Sequence, residues 1–172
     1  SKGAASSHRA LVGSTEQIMC WTGVDLPGVE MKPRHEFITL AALPVFHVYG
    51  LVVLLSQSIA SGCTVILVPN PRDIAGLLSV IDHYKPNFFA GVPTLYNAMV
   101  THPSVKSGEM RFESIKISQS GAAPMHQYLK DEFEAAGGRR LFEGYGMSEI
   151  PCGNHSGPLV GETRPDSIGL PL

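Results

Sequence analysis

Charge clustering is what this 172-residue sequence most lacks. Charged residues make up 16% of it, the formal net charge is −2, and no basic run exceeds Arg139-Arg140. A nucleic-acid surface needs a basic stripe to neutralise phosphates, so that function class is excluded. A net charge this small points to no acidic or basic partner either. Cysteine is scarce: Cys20, Cys63 and Cys152 cannot all pair and form no C-x-x-C, which reads as reduced intracellular thiols. Cys152 and His155 supply at most half of a metal site, because no second pair is spaced to complete it. Long apolar runs are missing as well. The most weakly charged stretch, 37–69, is interrupted by Pro44, His47, Gly50, Gln57 and Gly62. It therefore falls short of the ~20 unbroken apolar residues of a spanning helix. No apolar segment follows Ser1-Lys2-Gly3, so no signal peptide is expected and the reading is a soluble, cytoplasmic chain without a transmembrane segment. The chain starts without Met and stops at Ile168-Gly169-Leu170-Pro171-Leu172 with no polar tail. Both ends are expected to be cuts through a longer protein.

What is present is an alternation of short apolar runs and helical patterns. Residues 7–22 place Leu11, Val12, Ile18, Met19 and Trp21 along one side of a helix that Gly23 ends. Residues 26–34 read as a loop with two prolines. The runs 37–43 and 64–68 read as buried strands, with a buried helix over 48–60 between them and Gly62 as its stop. Asp73 is placed to cap a helix over 74–84, whose Leu77, Leu78 and Ile81 share a face. A short strand over 87–90, a helix from Pro93 to about residue 100 and a polar loop over 102–111 follow. Then come a strand over 115–119, an amphipathic helix over 125–136 ended by Gly137-Gly138, and a last strand over 140–143. Strands alternating with helices of this length imply βαβ units: an α/β fold with a mostly parallel sheet flanked by helices. In such sheets ligands bind beyond the carboxyl ends of strands, which selects the loops after residues 43, 119 and 143.

Those three loops carry the chemistry. In Ser120-Gly121-Ala122-Ala123-Pro124 a strand gives way to a helix through small residues. Small side chains let a ligand approach the backbone, and a helix N-terminus favours anionic groups. Taken alone, the same pattern is an ordinary βα turn. In Glu143-Gly144-Tyr145-Gly146-Met147-Ser148-Glu149 two glycines flank a ring on which a base can stack, and a hydroxyl and a carboxylate follow. Ser148 suits a phosphate, and Glu149 suits Mg²⁺, a hard ion that bridges to substrate phosphates. In Leu43-Pro44-Val45-Phe46-His47-Val48-Tyr49-Gly50 a histidine sits at a strand-to-helix junction among aromatics. It either contacts a substrate carboxylate or packs as a core residue. Lys2 beside Gly3 at a helix entry is a phosphate contact or a solvated terminus.

In order, these segments resemble the adenylate-forming enzymes, which include acyl-CoA synthetases, aryl-CoA ligases, luciferases and peptide-synthetase adenylation domains. Ser1-Lys2-Gly3-Ala4 matches the end of that family's T-S-G-T-T-G-x-[PS]-K-G loop, and Ser7-His8-Arg9-x-Leu11 continues it. Leu43-Pro44-x-Phe46-His47-x-x-Gly50 is similar to the aromatic-histidine motif at the acyl pocket, and the 120–124 turn to the adenine-contacting G-A-A-P. Tyr145-Gly146-x-Ser148-Glu149 resembles Y-G-x-T-E, with Ser for Thr and the hydroxyl kept. Asn70-Pro71-Arg72-Asp73-Ile74, Gly91-Val92-Pro93-Thr94-Leu95-Tyr96-Asn97-Ala98, the 141–146 run and Ser167-Ile168-Gly169-Leu170-Pro171 look closest to fatty acid–CoA ligases. The G-A-A-P turn also suits the 4-coumarate branch.

The resemblance implies that residues 1–172 are a piece of an AMP-binding N-terminal domain. Most of the phosphate loop, the ribose-holding Asp, the hinge and the C-terminal domain with its catalytic lysine are absent from it. It implies ATP, Mg²⁺, CoA and a carboxylic acid, a fatty acid before others, as reactants of the parent enzyme. Acyl-AMP forms with release of pyrophosphate, and CoA then displaces AMP. The implied roles are Tyr145 as adenine platform facing Gly121, Ala122, Ala123 and Pro124, with Glu143 and Met147 in the same nucleotide wall. Ser148 contacts phosphate, Glu149 holds Mg²⁺, and both count as catalytic. His47 borders the acyl tunnel, Gly144 and Gly146 leave room for nucleotide and acyl chain, and Lys2 is a remnant phosphate contact. The isolated chain is expected to form no CoA ester. An aryl-CoA ligase, a non-catalytic nucleotide-binding domain, a homodimer and peripheral membrane association stay open.

Overall fold

The computed structural model describes residues 3–23, 34–164 and 166–172. Lys2 and most of the expected 26–34 loop lie outside them. The described chain is an α/β layer structure of seven strands in the order β2-β1-β3-β4-β5-β6-β7. The strands are β1 (Ile38–Ala41), β2 (Thr64–Leu67), β3 (Phe88–Gly91), β4 (Ile117–Ser120), β5 (Leu141–Met147), β6 (Cys152–Ser156) and β7 (Leu170–Pro171). Pairing is parallel from β2 through β5 and antiparallel from β5 through β7.

Strand periodicity divides the core in two. Leu40, Phe89 and Leu141 bury on one face, whereas Ala41, Phe88, Ala90, Ile117 and Phe142 bury on the other. Against the first face pack α3 (Ile74–Tyr84), α4 (Pro93–Val100), the short α5 (Pro103–Lys106) and α6 (Gln127–Ala135). Their Tyr96 and Phe133 rings meet edge to face at 5.1 Å between centroids, a preferred aromatic geometry. Against the second face lie α1 (His8–Thr22) and a helix that is π-wound over Tyr49–Ser56 before continuing as α2 (Gln57–Ser61). No described helix is long and apolar enough to cross a membrane.

Local signals account for most boundaries. Ser7 accepts from the Ala10 N–H at 3.1 Å at the start of α1, and Asp73 accepts from the Gly76 N–H at 2.9 Å at the start of α3. Gly62, at φ +70°, takes the left-handed conformation that closes α2.

Five expectations need correction. The strand over 64–68 is not buried: β2 is the edge of the sheet and Leu67 is 61% exposed. Its β-branched composition reports strand preference, not what covers it. The helix over 48–60 is π-wound from Tyr49 to Ser56, which hydrophobic pattern does not reveal. The 102–111 stretch is not only loop. His102 accepts from Ser104 N–H and Pro103 opens α5, burying Val105 and Met110. The fourth strand begins at Ile117, because Ile115 turns into the core by bonding back to the Phe112 carbonyl at 3.0 Å. The strand expected over 140–143 is neither short nor last: β5 runs on to Met147, and β6 and β7 follow.

Candidate active-site wall

The extension of β5 changes what the Tyr145 motif is. Tyr145, Gly146 and Met147 stand in a strand paired with β6, not in a loop. The register shifts between Tyr145 and Gly146, and such a bulge re-aims side chains beside a site. Gly146 is held so close to the β6 backbone that a Cβ there would lie 1.7 Å from the Cys152 carbonyl oxygen. Cys152 itself adopts φ +81°, and Ser148 and Glu149 form the exposed turn between the two strands.

Between this ribbon and the π-helix lies a cavity of about 220 Å³. Its walls bring together His47, Gly121, Ala122, Gly144, Tyr145, Gly146, Met147 and Ser148. Segments separated by up to a hundred residues thus share one space. Ala123, Pro124, Glu143 and Glu149 do not line it. Ala123 and Pro124 are exposed beyond the turn, and Glu149 is exposed one residue past Ser148. The Glu143 carboxylate faces α6, where it accepts from the Met125 N–H at 3.1 Å and the Lys130 ammonium at 2.7 Å.

Each wall has a physical basis. The Gly121 N–H donates to the Gly91 carbonyl at 3.2 Å, which anchors the turn to β3, and Ala122 then takes φ +68°. For a residue with a Cβ that conformation costs about 1–2 kcal/mol and is kept only where the surroundings impose it. The Tyr49 ring lies directly beneath, 3.0 Å from where a Gly121 Cβ would project. The Tyr49 hydroxyl approaches the carbonyls of Gly91 (3.4 Å) and Gln119 (3.5 Å), and the Tyr96 hydroxyl donates to the same Gln119 carbonyl at 3.0 Å. Burial holds both phenols well above their usual range, so both act as neutral donors. His47 is exposed at the mouth, and its Nδ1 accepts from the Tyr49 N–H at 3.2 Å. In the neutral ring that leaves Nε2–H as the donor. Tyr145 is 41% exposed, and its ring meets His155 across the ribbon, 6.3 Å between centroids.

The cavity has walls that motif reading does not supply: Ile18, Val48, Tyr49, Val53, Gln119, Cys152, Gly153, His155 and Leu172. Tyr49 and Gln119 flank residues already singled out and are legible by adjacency. Cys152, Gly153 and His155 depend on β6, which Pro151 and Gly153 disguise as loop. Burial pushes the Cys152 thiol up to about 12, outweighing backbone hydrogen bonds at Val53 and Gly153 that lower it. The raised value favours the thiol in the fold. That contribution is complete below the ordinary 9.0 and is lost as pH rises toward about 12. Cys152 is accordingly expected to resist alkylation in the native protein at mildly alkaline pH and to react once denatured. Peptide mass spectrometry after labelling checks it, and equal labelling in both states would contradict it.

A family model described as AMP-binding enzyme matches residues 1–172. A long-chain-fatty-acid–CoA ligase of Bacillus subtilis (strain 168) is 35% identical over 170 residues, covering 99% of this chain and 29% of that protein. The corresponding ligase of Escherichia coli O6:H1 is 31% identical over 172 residues, with the same coverage of 99% and 29%. The chain thus spans about three tenths of the curated relatives it matches. Among solved structures, ATP-bound MatB from Rhodopseudomonas palustris superposes with a TM-score of 0.82 at 24% identity, over 99% of this chain and 31% of that one, a likeness of fold.

Proposed function

We propose, from the premise that this chain belongs to the AMP-binding enzyme family, that it forms the nucleotide-facing wall of an ATP-dependent long-chain fatty acid–CoA ligase. The observation that carries this reading is the single cavity walled by His47, the 121–122 backbone and the 144–148 run. The identity to long-chain-fatty-acid–CoA ligases over nearly the whole chain supports the substrate class.

The parent enzyme joins a fatty acid to the α-phosphate of ATP, releasing pyrophosphate, and CoA thiol then displaces AMP. Tyr145 offers its ring to adenine, and the Gly121–Pro124 turn closes on the other side. Gly144 and Gly146 line the space between, Gly146 letting β5 lie against the Cys152 carbonyl and Gly144 leaving room for the Gln119 side chain. Ser148 donates its hydroxyl to phosphate. His47, at the cavity mouth with Nδ1 engaged by the Tyr49 N–H, bonds the fatty-acid carboxylate through Nε2–H and steadies it for in-line attack.

Mg²⁺ suits the donor set. Magnesium is usually held by one or two carboxylates together with substrate phosphates, and Glu149 presents one exposed carboxylate beside the Ser148 hydroxyl. The described residues contain no group of three or more His, Cys, Asp or Glu that could hold an ion by themselves. Glu149 would be the residue of this chain that holds Mg²⁺ when the ion binds with the nucleotide. When bound, that ion neutralises charge on the transferring phosphoryl group.

The reading is tested by ATP–pyrophosphate exchange with the full-length enzyme over a panel of acids. Exchange with saturated long-chain acids is expected. Exchange with 4-coumarate but no long-chain acid would overturn the fatty-acid assignment.

A further inference from the structure

The Lys130–Glu143 pair lies outside the cavity yet touches both segments that wall it. Resting on the reading of that cavity as a nucleotide site, the geometry points to Glu143 as a positioning residue. Together with Lys130, it fixes the spacing between the 121–124 turn and the 144–148 run.

The strand register puts Glu143 beside Ser120, the last residue before the turn. Phe142 buries on the α1 side, so Glu143 projects toward α6. There one carboxylate oxygen takes the N–H of Met125, the residue immediately after the turn, at 3.1 Å. The other takes the Lys130 ammonium, further along α6, at 2.7 Å. His126, at the N-cap of α6, makes no side-chain cap, and the carboxylate ties the chain down one residue earlier, at the Met125 N–H, where it enters the helix. The Glu143 carbonyl is fixed as well, accepting from the Gly157 N–H at 2.7 Å. Its next neighbour, Gly144, already lines the cavity.

This pair differs from the others on the surface. Lys130 and Glu143 are each 14% exposed, against 62% and 67% for Lys85 and Asp82. Charge-assisted bonds are shorter and more directional than neutral ones, and removing one partner of a sequestered pair leaves an uncompensated charge. Such a bolt holds two nucleotide-binding segments at a fixed separation. A displacement of about 1 Å in that separation is enough to cost on the order of a hundredfold in turnover.

The test measures ATP–pyrophosphate exchange of the full-length enzyme, per titrated active site, for Lys130→Met, Glu143→Gln, Glu143→Leu and Lys130→Met/Glu143→Leu. Glu143→Leu is expected to raise KM for ATP about tenfold or more, the range typical of residues that orient a ligand indirectly. Lys130→Met and Glu143→Gln should raise it less but in the same direction. The double variant should be no worse than Glu143→Leu, and KM for the acid should stay unchanged. An unchanged KM for ATP in Lys130→Met beside a raised one in Glu143→Leu would make Glu143 a direct ligand and overturn the proposal. A lowered melting temperature with every KM unchanged would make the pair merely structural and overturn it equally. If Glu143→Leu fails to fold, Lys130→Met and Glu143→Gln decide by the same criterion. Absence of exchange in the unmodified enzyme would instead remove the nucleotide reading, and this inference with it.

Discussion

Replacing Gly146 with valine is expected to weaken nucleotide binding strongly and to lower the melting temperature together. The reason is local and severe. A Cβ at Gly146 would stand 1.7 Å from the Cys152 carbonyl oxygen and 3.1 Å from the Gly153 Cα, all backbone atoms that cannot rotate away. The β5–β6 ribbon would have to open where Gly146 pairs with Gly153 and Met147 with Cys152. Overpacking of this kind costs about 1–3 kcal/mol where side chains can yield, and more where only backbone can. Tyr145 and Ser148 flank the opening, so ATP affinity should fall by about a hundredfold or more. Gly13 supplies the contrast. It lies within α1 with nothing within 4 Å of its would-be Cβ, and Gly13→Ala should stabilise by about 0.5–1 kcal/mol through helix preference. Calorimetry with ATP titration reads both variants. Near-normal ATP binding by Gly146→Val would mean that the ribbon does not form the wall.

Glu149→Gln in the full-length enzyme is expected to lower the adenylation rate about 10²–10³-fold, the usual loss when one group stabilising developing charge is removed. Glutamine keeps the shape and one oxygen but not the charge that a hard dication requires. Glu149 is exposed in a two-residue turn, so the melting temperature should not move, which separates a metal role from a folding one. Raising Mg²⁺ should recover part of the rate. Pyrophosphate exchange at the unmodified rate, with unmodified Mg²⁺ dependence, would remove Glu149 from the site.

How far the sequence could be read depended on whether neighbouring residues or distant ones fixed each feature. Caps and helix faces are local, and Asp73, Gly62 and the Leu77-Leu78-Ile81 face stand where periodicity puts them. The parallel sheet followed from alternation alone. The second half of β5 was hidden because Gly144 and Gly146 lower strand preference. Those glycines are there to let two backbones and Gln119 come close, a tertiary reason invisible in a window of neighbours. Edge position was equally hidden: Thr64-Val65-Ile66-Leu67 has the composition of a covered strand, yet β2 pairs only with β1 among the described residues. The motif residues His47, Gly121, Ala122 and those of 144–148 were legible, and the fold gathers them. The Glu143 carboxylate was legible as a motif letter but not as a link to Met125 and Lys130, because that contact joins a strand to the helix before it.

The most direct measurement is a crystal structure of the full-length enzyme with a non-hydrolysable acyl-AMP analogue. The adenine is expected on the Tyr145 ring, between it and the 121–124 turn, with the phosphate at Ser148 and the acyl chain passing His47. Adenine bound elsewhere, with the Tyr145 ring facing only solvent or protein, would contradict the assignment of this wall.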